Sequence, residues 1–245
     1  MSNRHAMILG ATSEMATALA YEMAKRQIDL TLVARDVPSL ERVRADLSLR
    51  YNVTVSLETL DIMDAGQRHQ FLARKGLSPD IVACFVGTLG DEMKARGDER
   101  ALTDILHANF EGPAIVLSAL ANAMVANGGG VIVGVSSVAG ERGRQSNYVY
   151  GAAKAGFTAF LSGLRNRLVG EKVHVVTILP GFVDTKMTRH LALPKVLTAT
   201  PQEVALSIMA AINKRRNIVY VKPVWRVIMF CVKATPEFIF KKLKM

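Results

Sequence analysis

The chain has 245 residues, half of them hydrophobic, and a formal net charge of +10 at pH 7. This length suits one α/β domain with a large core, and the sequence contains no repeat, low-complexity tract or Pro/Ser-rich linker. Cys84 and Cys231 lie far apart without partners at metal-ligand spacing, which excludes a disulfide scaffold and indicates free thiols in a reducing compartment. Because the first apolar run, residues 6–9, is too short for a secretory signal, we expect a cytoplasmic protein.

The basic residues are concentrated at the C-terminal end of the chain. From Lys214 to Met245 the only acid is Glu237, so this segment carries a charge of +8 and the rest of the chain about +2. Its nine cations are Lys214, Arg215, Arg216, Lys222, Arg226, Lys233, Lys241, Lys242 and Lys244. Any explanation of the basic charge must therefore concern this segment.

Strand patterns and helix patterns alternate along the chain. The predicted strands are residues 6–9, 28–34, 53–60, 81–86, 131–135, 173–179 and 218–221. The predicted helices are residues 13–26, 38–49, 65–73, 101–126, 148–169 and 201–214. Because the strands are continuously apolar, we expect helices to cover both of their faces. The pattern predicts a doubly wound, Rossmann-type parallel sheet in a single catalytic domain of residues 1–221.

The first predicted strand runs into Gly10, and a helix opens directly after it. Such a turn lets the backbone bend sharply and presents free N–H groups to a pyrophosphate, with Thr12 and Ser13 as additional hydroxyl donors. Glu14 and Ala16 replace the usual second and third glycines, and a carboxylate there must turn away from a phosphate. The turn is a candidate dinucleotide site, and a plain strand–helix connection is the alternative.

The ends of the second and third strands bear on the choice of cofactor. Ala34 stands where an acid would bind the adenine ribose hydroxyls and repel a 2′-phosphate, whereas Arg35 could pair with that phosphate. The sequence therefore favours NADPH over NADH, unless Arg35 is simply an exposed residue at the start of a helix. Asp61 could accept a hydrogen bond from the adenine amino group, or it could cap the next helix.

Tyr150 and Lys154 lie four residues apart, on one face of a predicted helix. An ammonium group there would stabilise the phenolate and lower the pKa of the tyrosine from its ordinary value of about 10, which suits general acid–base chemistry. Tyr21 and Lys25 have the same spacing on the first helix. We interpret that second pair as structural, because no other reactive residue type surrounds it.

Three further polar residues surround the Tyr150–Lys154 pair in the predicted topology. Ser137 follows the fifth strand, at the edge where open α/β sheets bind ligands, and could polarise a substrate carbonyl. Asn109, in the helix after the fourth strand, could hold a water between Lys154 and solvent. Thr185, after the sixth strand, could bind a carboxamide.

This ordered set resembles the short-chain dehydrogenase/reductase family from Met7 to about Val221. The resemblance rests on Gly10, Asn109, Ser137, Tyr150, Lys154 and Pro180-Gly181. It implies hydride transfer between a nicotinamide and a carbonyl or alcohol. It also implies a proton donor at Tyr150, a carbonyl binder at Ser137, a ribose and tyrosine partner at Lys154, and proton-relay support from Asn109.

The resemblance further implies that the protein is a homo-oligomer and that two other segments touch the cofactor. The contacting residues in those segments would be Gly87, Pro180, Gly181, Val183 and Thr185. The sequence departs from the family where an Asn-Asn-Ala-Gly stretch is expected, since residues 85–88 read Phe-Val-Gly-Thr.

The segment 222–245 is predicted to form a short basic amphipathic tail. One helix is expected over residues 222–233 and a second one capped by Thr235; at about ten residues, or roughly 15 Å, neither spans a bilayer. Cations beside Trp225 and several phenylalanines favour docking on an anionic membrane surface. A tail that covers the protein's own pocket or forms a dimer contact is the alternative. Nucleic acid binding is disfavoured because large aliphatic residues interrupt the charges.

Three segments resemble reductases that act on decaprenyl-phosphoryl-2-keto-pentose: residues 10–16, residues 87–91 and the basic tail. This resemblance implies a polyprenyl-phosphate substrate, a role in cell wall biogenesis and a flavin-dependent oxidase as partner. Two alternatives stay open. One is a reductase of another hydrophobic carbonyl, such as a fatty-acyl, steroid-like or quinone compound, and the other is a non-catalytic cofactor sensor or scaffold. No metal site is expected, because the histidines are scattered at His5, His69, His107, His174 and His190.

Overall fold

A computed structural model describes residues 4–74, 77–188 and 193–243, so that His190 and Lys244 lie outside the described residues. The strands are β1 (His5–Leu9), β2 (Asp29–Ala34), β3 (Val55–Thr59), β4 (Ile81–Cys84), β5 (Gly130–Val135), β6 (Val173–Leu179), β7 (Phe182–Val183), β8 (Thr198–Ala199) and β9 (Ile218–Tyr220). Seven of them form a parallel sheet in the order β3-β2-β1-β4-β5-β6-β9, and β7 pairs with β8 separately.

Helices cover both faces of this sheet. They are α1 (Glu14–Ala24), α2 (Glu41–Tyr51), α3 (Ala65–Leu72), α4 (Glu92–Ala95), α5 (Glu99–Leu106), α6 (Gly112–Ala126), α7 (Tyr148–Arg167), α8 (Pro201–Asn213), α9 (Val224–Ala234) and α10 (Glu237–Phe240). One buried apolar cluster lies on each face. The predicted Rossmann-type α/β fold is confirmed, and the strand order reverses between β1 and β4, where such sheets open a ligand crevice.

The predicted helix over residues 101–126 is interrupted. The chain forms α5, then a π-helical turn over His107–Glu111, and then α6. The apolar periodicity does not reveal this turn, because the chain stays helical through it and gains only a local bulge. Its consequence is functional, since π-bulges are frequent at functional sites and Asn109 lies inside this one.

The C-terminal segment differs from its prediction at the second helix. Thr235 does not cap that helix; it ends α9, where its Oγ1 donates to the Cys231 carbonyl at 2.9 Å. α10 follows Pro236 and is only four residues long. α9 is amphipathic, as predicted, because Trp225 and Met229 are buried while Phe230 is 70% exposed. Within the described residues, no helix is long and apolar enough to cross a membrane.

Both cysteines are free thiols as predicted, with Cys84 buried and Cys231 exposed. Two of the histidines have ordinary structural partners: His5 Nε2 lies 2.8 Å from Thr31 Oγ1, and His174 Nε2 lies 3.2 Å from the Arg216 carbonyl. The described part of the chain brings together no group of His, Cys, Asp and Glu side chains that could hold a metal ion.

Candidate active site

The turn after β1 forms one wall of a cavity of about 1000 Å³. Gly10 has φ +76°, and a Cβ there would lie 2.9 Å from the Val86 nitrogen, so both the conformation and the close approach require glycine. Ser13 precedes α1 in an extended conformation and makes no capping bond, which leaves its hydroxyl available beside Thr12. The cradle therefore fits a pyrophosphate at the N-terminus of α1.

Glu14, which replaces a family glycine, is bonded to a segment across the crevice from that cradle. Its Oε2 accepts a hydrogen bond from the Lys186 nitrogen at 2.7 Å, in the segment after β7. Both residues line the large cavity. The carboxylate therefore connects the start of α1 to the segment on the other side of the crevice.

Arg35 and Asp61 lie along the same cavity, at the ends of β2 and β3. Arg35 is exposed and makes no ion pair with any residue that the structure describes. Asp61 Oδ1 accepts from the Met63 nitrogen at 3.0 Å, whereas α3 is capped by Asp64, which accepts from the Gln67 nitrogen. The alternative in which Asp61 caps the next helix is therefore wrong.

A second cavity, of about 170 Å³, adjoins the first. The four residues predicted to be catalytic, Asn109, Ser137, Tyr150 and Lys154, all line it. Three structural elements bring them together: the π-helical turn, the end of β5 and the first turns of α7. The sequence-predicted residues Pro180, Gly181, Val183 and Thr185 line the same space from the segment after β6.

Asn109 is fully buried and shapes the junction of the two cavities. Its Nδ2 donates to the Thr88 and Ile105 carbonyls at 2.7 and 2.9 Å, and its Oδ1 accepts from the Thr88 nitrogen. A Cβ at Gly87 would lie 2.5 Å from Asn109 Oδ1 and 3.0 Å from Lys154 Nζ. Gly87 is therefore required here to let the strand end approach both side chains.

Burial controls the ionisation of Tyr150 and Lys154. Desolvation raises the pKa of Tyr150 to about 12, and a side-chain hydrogen bond with Ser137 offsets only part of this effect. Burial thus outweighs the lowering of the Tyr150 pKa that the spacing predicted, although the Lys154 ammonium lies 5.8 Å from the centroid of the tyrosine ring. Lys154 is 4% exposed, and desolvation lowers its pKa to about 8. The tyrosine is thus protonated at neutral pH, as a proton donor must be.

The C-terminal helix α9 packs against the wall of the second cavity. Trp225 packs against Gly181 so closely that a Cβ there would lie 1.9 Å from its ring, and Trp225 Nε1 donates to the Leu197 carbonyl at 3.0 Å. Trp225 and Met229 share an apolar cluster with Val138 and Leu179. Through its inner face α9 therefore packs behind Val138 and Gly181, which line the cavity, while no residue of α9 itself lines it.

Arg142 anchors the end of this helix. Its Nη1 donates to the Val232 and Thr235 carbonyls at 2.6 and 2.5 Å, and its Nη2 pairs with Glu237 at 2.8 Å. The guanidinium also lies 3.8 Å from the centroid of the Phe240 ring. The segment after Ser137 and the C-terminal helices are therefore joined by one arginine.

The polar residues of the second cavity that sequence reasoning missed include Arg144 and Asn147. Both lie between Ser137 and Tyr150, so their position in the chain was a usable signal. The sequence could not separate Arg144 from Arg142, because only the packing of α9 decides which arginine lines the cavity.

A doubly wound sheet with a glycine turn at its switch point is typical of a dinucleotide-binding protein, and the comparisons with known proteins agree with this assignment. A family model described as short chain dehydrogenase matches residues 4–195. The chain therefore belongs to the short-chain dehydrogenase family and is an NAD(P)-dependent oxidoreductase.

Relatives cover almost the whole chain. An uncharacterised oxidoreductase of Mycobacterium tuberculosis is 31% identical over 241 residues, covering 97% of this chain and 96% of its own. A 3-oxoacyl-[acyl-carrier-protein] reductase of Chlamydia muridarum is 27% identical over 219 residues, which cover 84% of this chain and 88% of the relative. A short chain dehydrogenase from Burkholderia cenocepacia, solved with NADP, has a TM-score of 0.84 at 21% identity and covers 100% and 98%.

Proposed function

We propose that the protein is an NADPH-dependent reductase of a ketone in a lipid-linked substrate, such as a polyprenyl-phosphoryl 2-keto-pentose. The observation that carries this proposal is the position of the small cavity. It holds Ser137 and Tyr150, adjoins the dinucleotide crevice, and has packed behind its wall the helix α9, whose outer face is apolar.

The chemistry follows from these side chains. A bound nicotinamide supplies the hydride that goes to the carbonyl carbon. Ser137 donates a hydrogen bond to the carbonyl oxygen, and Tyr150 gives that oxygen its proton as the C–H bond forms. Lys154 holds positive charge beside the tyrosine, which stabilises the phenolate left behind. Asn109 lines the same cavity and is held there by its bonds to the Thr88 and Ile105 carbonyls.

The cofactor proposal rests on Arg35. It lines the crevice at the end of β2, and no acid that would repel a 2′-phosphate precedes it at Ala34. The NADP complex of the similar Burkholderia protein supports the same choice. We expect Arg35→Ala to lower kcat/KM for NADPH about 10- to 100-fold, because one charged contact to a phosphate is lost. The value of kcat/KM for NADH should change little. Equal losses with both cofactors would remove the support for NADPH.

The lipid part of the proposal rests on the outer face of α9. Val227 and Phe230 are 64% and 70% exposed there, and Arg226 and Lys233 lie on the same helix. Phe238 and Ile239 of α10 continue the exposed apolar surface. Apolar side chains among cations are the composition that binds an anionic bilayer surface, and here they lie on the helix that packs behind the wall of the substrate cavity.

The decisive assay follows NADPH oxidation with a polyprenyl-phosphoryl 2-keto-pentose in phosphatidylcholine vesicles with or without phosphatidylglycerol. We expect turnover that requires Tyr150 and is faster on the anionic vesicles. The double variant Val227→Ser/Phe230→Ser should lose sedimentation with those vesicles. Leu49→Ser, which removes an 89% exposed leucine from α2 at the opposite edge of the sheet, serves as its control. No turnover in folded, NADPH-bound protein would refute this substrate.

The resemblance also supports a flavin-dependent oxidase as partner, because an oxidase that makes a ketone from a lipid-linked sugar would supply this substrate. A second candidate function is the reduction of another hydrophobic carbonyl, and the relative described as a 3-oxoacyl-[acyl-carrier-protein] reductase favours it. Turnover of an acyl thioester ketone in the absence of vesicles, with none of the keto-pentose, would select this second function.

A further inference from the structure

Arg144 lines the small cavity that holds the candidate catalytic residues. It lies between Ser137 and Tyr150 in the chain and lines the same space as both. Its Nη2 donates to the Met229 sulfur at 3.4 Å, and thioethers are weak acceptors. Its Nε is buried without a hydrogen-bond partner among the described residues. The charge is therefore partly desolvated while its donors are hardly used.

Two other arginines of the same region show how such a group is normally satisfied. Arg142, two residues earlier, binds backbone carbonyls and pairs with Glu237. Arg165 donates to the Val175 and Asn217 carbonyls and to a threonine hydroxyl. Because an unpaired buried charge is costly, a fold retains one where a ligand pairs with it.

The nearest acid does not neutralise Arg144. Glu141 raises the pKa of Arg144 through its field, although burial has the larger, opposite effect on that pKa. The Glu141 carboxylate is engaged through one oxygen: its Oε1 accepts from Tyr220 Oη at 2.8 Å and from Lys233 Nζ at 2.6 Å. Its Oε2 is buried without a hydrogen-bond partner among the described residues and makes no hydrogen bond to Arg144. Among the residues that the structure describes, no carboxylate forms an ion pair with Arg144.

A second polar group accompanies the guanidinium. The Asn147 side chain lines the same cavity, and its Oδ1 is buried without a partner in the described ranges. An amide beside a guanidinium suits a polar substrate that carries both an anion and hydroxyl groups. A purely hydrocarbon ketone would leave both groups unsatisfied, at a free-energy cost.

We propose that Arg144 binds an anionic group of the substrate, a phosphate or a carboxylate, within the cavity that contains Ser137 and Tyr150. The substrate is then an anionic carbonyl compound, and Arg144 selects it against neutral ketones of the same shape. This inference rests on the reductase function proposed above and assigns a specificity-determining residue to it.

The first test compares two matched ketones with the NADPH-bound enzyme. One is a farnesyl-phosphoryl 2-keto-pentofuranose, and the other is the uncharged farnesyl 2-keto-pentofuranoside. We expect Arg144→Met to lower kcat/KM for the phosphate compound about 100-fold, as loss of a buried charge-assisted contact does, and to leave the neutral compound within about threefold. Arg144→Lys should recover part of the loss. Arg96→Gln, an exposed arginine on the neighbouring segment, is the charge-matched control.

The second test measures binding without turnover. Trp225 is the single tryptophan and packs beside Gly181 at the cavity wall, so its fluorescence reports ligands there. We expect farnesyl phosphate or farnesoic acid, but not farnesol, to change this fluorescence in the NADPH-bound protein. The Arg144→Met variant should lose that response and keep the far-UV circular dichroism of the wild type.

These outcomes separate the two proposals. Anion binding that depends on Arg144, without turnover of either ketone, would support the anion site and overturn the proposed substrate. Equal effects of Arg144→Met on both ketones, or binding of farnesol as tight as that of the anions, would overturn the role of Arg144 while leaving the reductase intact.

Discussion

Helices α1 and α7 each contain a tyrosine followed four residues later by a lysine, which lies within α7 and directly after the last residue of α1. On α1, the Tyr21 hydroxyl donates to Asp46 at 2.6 Å and Lys25 pairs with Glu22 at 2.6 Å. On α7, Tyr150 has a serine beside it, and Lys154 has only the Val135 carbonyl, at 3.3 Å. The tyrosine pKa is raised to about 12 in both pairs, so the tyrosines alone do not distinguish them.

The lysines carry the difference. The hydrogen bond from Lys25 to Glu22 raises the pKa of Lys25, whereas desolvation lowers the pKa of Lys154 to about 8. The first lysine is neutralised by a carboxylate on its own helix, and the second is buried with its charge available to a neighbour. The four-residue spacing thus brings a tyrosine and a lysine close together in both pairs. The residues around each pair decide whether it can take part in catalysis.

The largest expected effect is that of removing the Tyr150 hydroxyl, and removing the Tyr21 hydroxyl is the matched comparison. Tyr150→Phe should lower kcat by about 10³-fold, because the carbonyl oxygen loses its proton donor. Tyr21→Phe should leave kcat within about twofold, because its hydroxyl bonds only to Asp46. Steady-state NADPH oxidation measures both. A similar loss in the two variants would show that the α7 pair is not special.

The second prediction concerns stability against pH. The pKa of Lys154 falls from 10.5 in the unfolded chain to about 8 in the fold, so the unfolded state binds more protons between those values. The stability of the wild type should therefore rise with pH through that window. Lys154→Met should remove this contribution and stabilise the fold at pH 7 by up to about 3 kcal/mol while abolishing activity.

Urea unfolding of the wild type and of Lys154→Met at pH 7, 8.5 and 10 checks this prediction. The quantity to compare is the difference between their free energies of unfolding at each pH. Lys25→Met is the control, because the pKa of Lys25 is raised and its loss cannot stabilise the fold at pH 7 by this route. A destabilised Lys154→Met protein at pH 7 would contradict the assignment of Lys154 as a strained buried cation.

A third prediction sharpens the comparison through Gly87, which contacts the α7 pair and has no counterpart beside α1. Gly87→Ala places a methyl group against Asn109 and Lys154, and we expect kcat to fall about 10- to 100-fold through their displacement. The fold should lose about 1–3 kcal/mol. Gly163→Ala, on α7 where an added Cβ meets nothing within 4 Å, should keep full activity.

The smallest expected effect lies in the ion pair of α1. Lys25→Met should shift Tm by about 1 °C or less, because Arg26 and Gln202 still hold the buried Glu22 carboxylate after the half-exposed lysine is removed. Thermal unfolding followed by circular dichroism measures this shift. A drop of many degrees would mean that the α1 pair is more than a surface contact.

The sequence predicted most of the fold because buried parallel strands and amphipathic helices leave clear patterns. It did not predict the π-helical turn at Asn109, since a helix with one bulge keeps its apolar periodicity. The set Asn109, Ser137, Tyr150 and Lys154 was found because each residue follows a predicted strand or lies on a predicted helix. The pKa shifts of Tyr150 and Lys154 were not predicted, because desolvation depends on packing that no local sequence pattern encodes.

The C-terminal segment shows the same limit. Its amphipathic character was predictable from residue types, whereas the burial of Trp225 and Met229 behind the pocket wall was not. Thr235 followed by Pro236 is typical of a helix start, but its hydroxyl bonds backwards to Cys231 because α9 reaches that far.

The bonds that Arg142 makes to the end of α9 bear on how this enzyme can be engineered. Because the helix is fastened to the segment that follows Ser137, trimming the chain before residue 224 would take away the packing behind an active-site wall together with the exposed apolar face. A shortened protein that fails to work would then say nothing about lipids. Attachment of a label or an immobilisation handle beyond α10, by contrast, leaves the bonds between Arg142 and the end of α9 intact.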